Sequence, residues 1–270
     1  MKKKFSRILV LVLAVILVTS LLAGCSQPQN KETAKEESQK EEKKVWVVGT
    51  SADYPPFESV DEKTGEFIGF DMDLIREVGK RLGVEVEIKD MPFDSLIASL
   101  KQGKIDAIIA CMSPTPERLK EADFTDAYYE TKQSILIKPG SGVEIKELND
   151  ILKYEFAVQT GTTMDEWATQ KIKEGVIKEN QLKRYTDANA AALDLKNGRL
   201  DAFLVDLPVA YDKAEELGLE VAIDCSIEGD EDPSILLPKG SDEMVAKLNK
   251  IIKEMKEDGF IKQLEDKWMK

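Results

Sequence analysis

The chain has 270 residues, 42% of them apolar, which is ordinary for a folded soluble body of one or two domains. Its net charge of −13 argues against nucleic acid as a partner, because phosphate binding needs clustered Lys and Arg. It contains no His, which removes His-based general bases, catalytic triads and most zinc sites, so neither a metal nor another cofactor is expected. The Cys residues are Cys25, Cys111 and Cys225, without Cys-x-x-Cys spacing, so no redox motif or zinc knuckle is legible. Cys111 and Cys225 stand either as two separate thiols or as a disulfide.

Residues 1–24 carry Lys2, Lys3, Lys4 and Arg7 ahead of an apolar run from Ile8 to Val18 and on to Leu22. That is the basic and hydrophobic order of an export signal. It ends in Leu22-Ala23-Gly24-Cys25, which resembles the lipobox of bacterial lipoproteins. The resemblance implies cleavage before Cys25 and acylation of that residue, with residues 1–24 as signal peptide; an uncleaved signal anchor is the other reading. Residues 26–44 are polar apart from one Ala and one Pro, too poor in apolar surface to fold. With the lipidated Cys25 they make a flexible charged tether over 25–44, spanning roughly 25 Å as a random coil.

The folded body begins with Val45 to Val48, a short buried strand ending at Gly49-Thr50-Ser51. Asp53 to Phe57 holds two prolines and must turn, and Glu66 to Phe70 reads as a brief strand. Asp71 to Leu82 is an amphipathic helix with Leu74, Ile75, Val78 and Leu82 on one face and Gly83 closing it. Val84 to Ile88 alternates as a strand, and Asp94 is expected to cap a helix ending at Gly103. Ala107 to Ala110 is a buried strand; Thr115, Pro116 and Glu117 then suit the start of a helix that carries Arg118 in its first turn. Strand and helix alternate, which argues an α/β body with a largely parallel sheet, where ligands sit outside the carboxyl ends of strands. Ser51, Tyr54, Phe93, Cys111, Met112 and Ser113 fall near such ends.

Several runs now carry a resemblance: Gly49-Thr50, Tyr54 to Glu58, Gly69 to Leu74 (GFDMDL), Pro92 to Leu100 (PFDSLIASL), Gly103 to Ile109, Thr115 to Arg118 (TPER) and Asp123 to Asp126 with Tyr128-Tyr129. In this order they resemble the family 3 extracellular solute-binding proteins, over about residue 45 to Lys270. The resemblance implies a type II periplasmic-binding-protein-like α/β fold, two lobes joined by two hinge strands around a ligand cleft. Lobe 1 would take residues 45–130 and the return segment 229–270, and lobe 2 residues 131–228, with crossings near 130–133 and 226–233.

In the second half Gln133 to Ile137 and Phe156 to Gln159 read as strands. Thr163 with Glu166 reads as a capping box opening a helix with Trp167 on a buried face. Leu195 to Asp206 (LKNGRLDAFLVD) lies over Leu100 to Cys111 (LKQGKIDAIIAC) without a gap. Two halves ending in this unit suggest two similar lobes, and Asp206 falls where Cys111 stands in the first copy. A lone Asp after an apolar strand is costly to bury without a cationic partner. Arg118 with helix N–H donors on one side and Asp206 on the other fit a zwitterion, a free α-amino acid. Ser234 to Ser241 reads as a strand and turn, and Ser241 or Asp242 is expected to cap a last helix running past Met255.

Carried over residue by residue, the resemblance implies that Arg118 takes the ligand carboxylate with the N–H groups of Ser113 and Thr163. Asp206, the Cys111 carbonyl and the Ser113 hydroxyl would receive the ammonium, and Tyr54 and Phe93 would enclose the side chain. Gln159 lies where a pocket-facing polar group is expected, and Ser51 replaces an Asp found in some members that bind basic amino acids. The lean is to glutamine, with arginine, lysine, histidine or cystine open. The implied role is the monomeric, lipid-anchored, extracytoplasmic binding component of an ABC importer, handing a free amino acid to a permease and catalysing nothing. The competing readings are a sensor or adhesion lipoprotein, and a cyclohexadienyl-dehydratase-like enzyme on the same fold.

Overall fold

The computed structural model describes residues 44–229 and 232–269. The export signal, Cys25 and all of the tether but Lys44 lie outside the described residues. Two five-stranded sheets carry the body. The first has the spatial order β5 (Glu85–Asp90), β1 (Val45–Thr50), β6 (Ala107–Ile108), β13 (Leu236–Pro238), β7 (Ala122–Phe124). In it β1 runs parallel to β5 and β6, while β13 runs antiparallel to both of its neighbours. The second has the order β10 (Leu182–Tyr185), β9 (Phe156–Gln159), β11 (Ala202–Asp206), β8 (Gln133–Ile137), β12 (Glu220–Cys225). Here β9 runs parallel to β10 and β11, and β8 is antiparallel to β11 and β12. The sheets share one plan: a parallel trio followed by an antiparallel pair.

The chain leaves the first sheet after β7, builds the whole second sheet and returns with β13. At the crossings Thr131 N–H donates to Asp232 Oδ1 and Ile227 N–H to Gln133 Oε1, each at 3.1 Å. Two crossings of the chain thus join two α/β lobes. A small antiparallel sheet of β2 (Asp53–Tyr54), β3 (Glu58–Val60) and β4 (Phe67–Ile68) sits beside lobe 1.

Helix α1 (Phe70–Leu82) buries Phe70, Met72, Leu74, Ile75 and Val78, the stripe its periodicity demands, and Gly83 ends it in the left-handed conformation. With α7 (Asp242–Glu257) and α8 (Phe260–Trp268) it covers one face of the first sheet. Leu96, Leu100, Ile105, Ile108 and Leu236 pack in a second cluster of lobe 1. In lobe 2, α5 (Ala188–Lys196) and α6 (Leu207–Leu217) contribute Ala191, Ala192, Leu195, Val209 and Ala210 to the largest cluster. The helix α4 (Thr163–Lys173) packs Met164 and Ala168 into the other core of that lobe.

The echo is structural. Gly103 and Gly198 both close their helices at positive φ, 67° and 72°. Asp106 then exchanges two bonds with Val47 of β1: its N–H donates to the Val47 carbonyl (2.7 Å) and its Oδ2 accepts from the Val47 N–H (2.9 Å). Asp201 does the same with Glu155, at 2.9 and 3.0 Å. Both copies then enter a strand parallel and adjacent to the middle strand of their parallel trio, β6 beside β1 and β11 beside β9.

Several local expectations shift. The strand foreseen over Ala107 to Ala110 pairs only at Ala107–Ile108. Asp94 caps nothing: a 3-10 turn at Phe93–Ser95 leads into α2 (Leu96–Lys101) without a side-chain cap. The Arg118 helix, α3 (Arg118–Glu121), is a single turn, although Thr115 Oγ1 does accept from the Arg118 N–H at 3.3 Å. Ser241 stands at the N-cap of α7, yet its hydroxyl donates to the Pro238 carbonyl and its backbone carbonyl takes the first N–H groups. Cys111 and Cys225 are not joined in a disulfide.

Candidate functional site

One cavity lies where the two lobes meet, with about 360 Å³ of space free of protein atoms, part of it open to solvent. Its lining includes Ser51, Tyr54, Phe93, Cys111, Ser113, Arg118, Gln159, Thr163 and Asp206, nine of the ten ligand residues expected from sequence. Met112 does not line it. That side chain points the other way along the chain, 1% exposed in the Leu96 and Ile108 cluster, and its carbonyl accepts the Ser234 N–H at 3.1 Å.

Lobe 1 delivers Arg118 from the one-turn α3. Its Nη1 donates to the Ser113 carbonyl at 2.6 Å, which stays within the lobe, and its Nη2 donates to the Gly161 carbonyl of lobe 2 at 2.8 Å. The guanidinium also sits 5.6 Å from the centre of the Phe93 ring, within cation–π reach. A planar fork held at these points has the geometry to grip a carboxylate bidentately. Gly161 is needed here. Its φ is +79°, and a Cβ on it would stand 3.1 Å from Asp94 Cβ, so the lobes could not approach as closely.

Lobe 2 delivers Asp206 from the end of β11, at the N-cap position of α6. Asp206 Oδ2 accepts from the Tyr54 hydroxyl at 2.7 Å, and the Asp206 N–H donates to the Tyr54 oxygen at 3.2 Å. Cys111 Sγ approaches the same carboxylate oxygen at 4.0 Å. Where a cationic partner is foreseen for this buried Asp, one of its partners is a neutral phenol from the other lobe. Burial and then the Asp206 charge push the Tyr54 hydroxyl well above its ordinary range, so it stays a donor.

The second N–H cluster is displaced by one residue from the expected box. Thr162, not Thr163, caps α4: its Oγ1 accepts from the Asp165 N–H at 3.2 Å. The acid closing the turn is Asp165, which accepts from the Gly161 N–H at 3.0 Å, rather than Glu166. Thr163 is therefore the first residue of the helix, where backbone N–H groups point outward and favour an anion.

Three acidic residues around the cavity stand outside the site expected from sequence. Glu58, in the Pro-Pro-Phe-Glu run, lines it and is fully buried. Asp71 beside it accepts from the Cys111 N–H (2.9 Å) and the Tyr128 hydroxyl (2.8 Å) through Oδ2. Neither Glu58 oxygen nor Asp71 Oδ1 receives a donor from another side chain or backbone group. The two carboxyls face one another, and burial followed by the Asp71 charge pushes Glu58 well above the carboxylate range. Asp71 is pushed up to about 7 by burial, against the pull of its donors. Asp53 is the third feature: its Oδ1 accepts from the Ser51 hydroxyl (2.8 Å), and its Oδ2 from Gln159 Nε2 (2.9 Å) and the Ala188 N–H (2.6 Å). Among the described residues no group of His, Cys, Asp and Glu is placed to hold a metal ion.

The model of one protein family, bacterial extracellular solute-binding proteins of family 3, matches residues 46–270. The arginine-binding extracellular protein ArtP of Bacillus subtilis (strain 168) is 32% identical, covering 96% of each chain. The ABC transporter glutamine-binding protein GlnH of the same organism is 34% identical, covering 100% of this chain and 98% of its own. Among solved structures, an ancestral arginine-binding protein bound to arginine superposes with a TM-score of 0.76 at 36% identity, covering 84% of this chain and 98% of the other. The fold is that of the type II periplasmic amino-acid-binding proteins. With two lobes of one plan closed over a cavity that holds an Arg on one wall and an Asp on the other, the chain belongs to the bacterial extracellular solute-binding proteins, family 3.

Proposed function

We propose that this protein captures a free polar L-amino acid outside the cytoplasm and delivers it to the permease of an ABC importer. The observation that carries the reading is the placement of Arg118 and Asp206 on opposite lobes but in one cavity. Arg118 and the helix N–H groups at Ser113 and Thr163 take the α-carboxylate; Asp206, Ser113 and the Cys111 carbonyl take the α-ammonium. Tyr54 and Phe93 enclose the side chain. Because each lobe holds half of the clamp, a zwitterion binds the closed form better than the open one, which is the requirement for ligand-driven closure. The chain works as a monomer on a lipid anchor at Cys25.

The far end of the cavity favours N–H donors. The Ser51 hydroxyl and Gln159 Nε2 are both committed to Asp53, which leaves their oxygens as the groups facing a ligand. Glu58 adds a carboxyl to the same wall. A glutamine amide and an arginine guanidinium both satisfy such a wall, and glutamine remains our first choice. A glutamate side chain would bring a carboxylate against acceptors and lose affinity. Isothermal calorimetry of residues 26–270 against the twenty amino acids and cystine tests this. Micromolar binding of glutamine or arginine, about −8 kcal/mol, with no heat from glutamate, is expected. Tight binding of glutamate, or of none, would refute it.

A further inference from the structure

Asp53 is absent from the cavity lining, yet it accepts three hydrogen bonds, two of them from the other lobe. It lies on β2 next to Tyr54, so this two-residue strand reaches lobe 2 twice, through Tyr54 to Asp206 and through Asp53 to Gln159 and Ala188. The Ala188 N–H is the first of α5, one of the donors a helix cannot satisfy internally. The N-cap of that helix, Asp187, uses its own carboxylate on the Ala190 N–H at 2.8 Å, so it does not serve Ala188 with that bond. The positive end of α5 and the amide of Gln159 thus converge on a carboxylate that is 8% exposed and belongs to lobe 1. Opening the cleft separates Asp53 from both donors; none of these bonds needs a ligand atom.

We propose that Asp53 is an interlobe latch, a positioning residue that stabilises the closed form and holds Ser51 and Gln159 with their donors turned away from the ligand. This rests on the reading of the cavity as the amino-acid site, but the latch itself acts between the lobes. A ligand first meets the open form, so the rate of association depends little on the latch. Release requires reopening, and the bonds at Asp53 resist it. Dissociation is where its loss is felt.

The test is stopped-flow binding and small-angle scattering on residues 26–270, comparing wild type with Asp53→Ala and Asp53→Asn. Expected is a rise of tenfold or more in the dissociation rate of Asp53→Ala with the association rate within threefold, and a smaller rise for Asp53→Asn, which keeps one acceptor oxygen. The unliganded Asp53→Ala protein should also scatter with a larger radius of gyration than unliganded wild type. A merely structural role would lower the melting temperature without splitting the two rates. An unchanged dissociation rate, or a loss carried by association with unchanged scattering, overturns the latch. Wild type that binds no free amino acid would sink the site reading instead, and the scattering of the unliganded proteins would still decide the latch. Asp53→Asn, of nearly the same shape, serves alone if the alanine variant does not fold.

Discussion

Leu100 to Cys111 and Leu195 to Asp206 are built alike and end differently. Each closes a helix on a positive-φ glycine, and each has an Asp that bonds both ways to one backbone unit of the middle strand of its parallel trio or the residue leading into it, Val47 in β1 and Glu155 just before β9. The copies part at the last residue. In lobe 1 the chain turns at Cys111, the one non-glycine with positive φ (46°) among the described residues. The turn frees the segment that brings Ser113 and Arg118 to the cleft. In lobe 2 the strand continues to Asp206 and enters α6 directly. One scaffold thus presents a cation from one lobe and an anion from the other. The N–H of each end is held by lobe 1, Cys111 by Asp71 and Asp206 by Tyr54. Only the first end rests on a pair of carboxyls.

That asymmetry has a pH signature, the largest effect expected from the comparison on stability. Asp71 and Glu58 both have folded-state values raised above the roughly 4 of an unfolded carboxyl. The folded protein therefore binds more protons than the unfolded chain between pH ~4 and ~7. Their contribution is fully present below about pH 4 and is lost as pH rises through about 7. Glu58→Gln removes the raised acid and keeps a side chain of nearly the same shape beside Asp71. Its stability relative to wild type should improve as pH rises from 5 to 8 in denaturant titrations. Taking the difference cancels carboxylates such as Asp150, lowered to about 2 chiefly by Lys153, which act in the opposite sense. A difference independent of pH would contradict the raised carboxyls.

The similarity of the copies predicts a smaller, matched effect. Asp106→Ala and Asp201→Ala each remove the acceptor for one backbone N–H, at Val47 and Glu155. Each should cost about 1–2 kcal/mol, a fall in melting temperature of roughly 2–8 °C. Losses differing by more than about 2 kcal/mol would show that the echo is a likeness of form without a shared structural role.

Much of this organisation was legible because it is local. The Gly-x-x-Asp spacing of the repeat encodes a helix stop and a strand anchor within twelve residues, and both copies read the same way. Asp206 was legible because a charge after an apolar strand is unusual, and Arg118 because Thr115, Pro116 and Glu117 announce a helix start beside it. The cap of α4 was misplaced by one residue because Thr162 and Thr163 are adjacent, with Asp165 and Glu166 three residues beyond them. Local chemistry cannot choose between two such pairs. The bonds of Asp53 to Gln159 and Ala188 join residues 106 and 135 positions apart and exist only through closure. No local pattern announces them, and Glu58 with Asp71 was hidden for the same reason, their contact depending on the fold around β3 and α1.

The division of labour between the two copies is tested most directly by calorimetry on Arg118→Ala and Asp206→Ala, titrated with the amino acid that wild type binds. Removing one side of a buried charge pair costs about 2–5 kcal/mol, so each variant should bind on the order of 100-fold more weakly or worse. Circular dichroism and melting should remain those of a folded protein. Wild-type affinity in either folded variant would contradict the clamp.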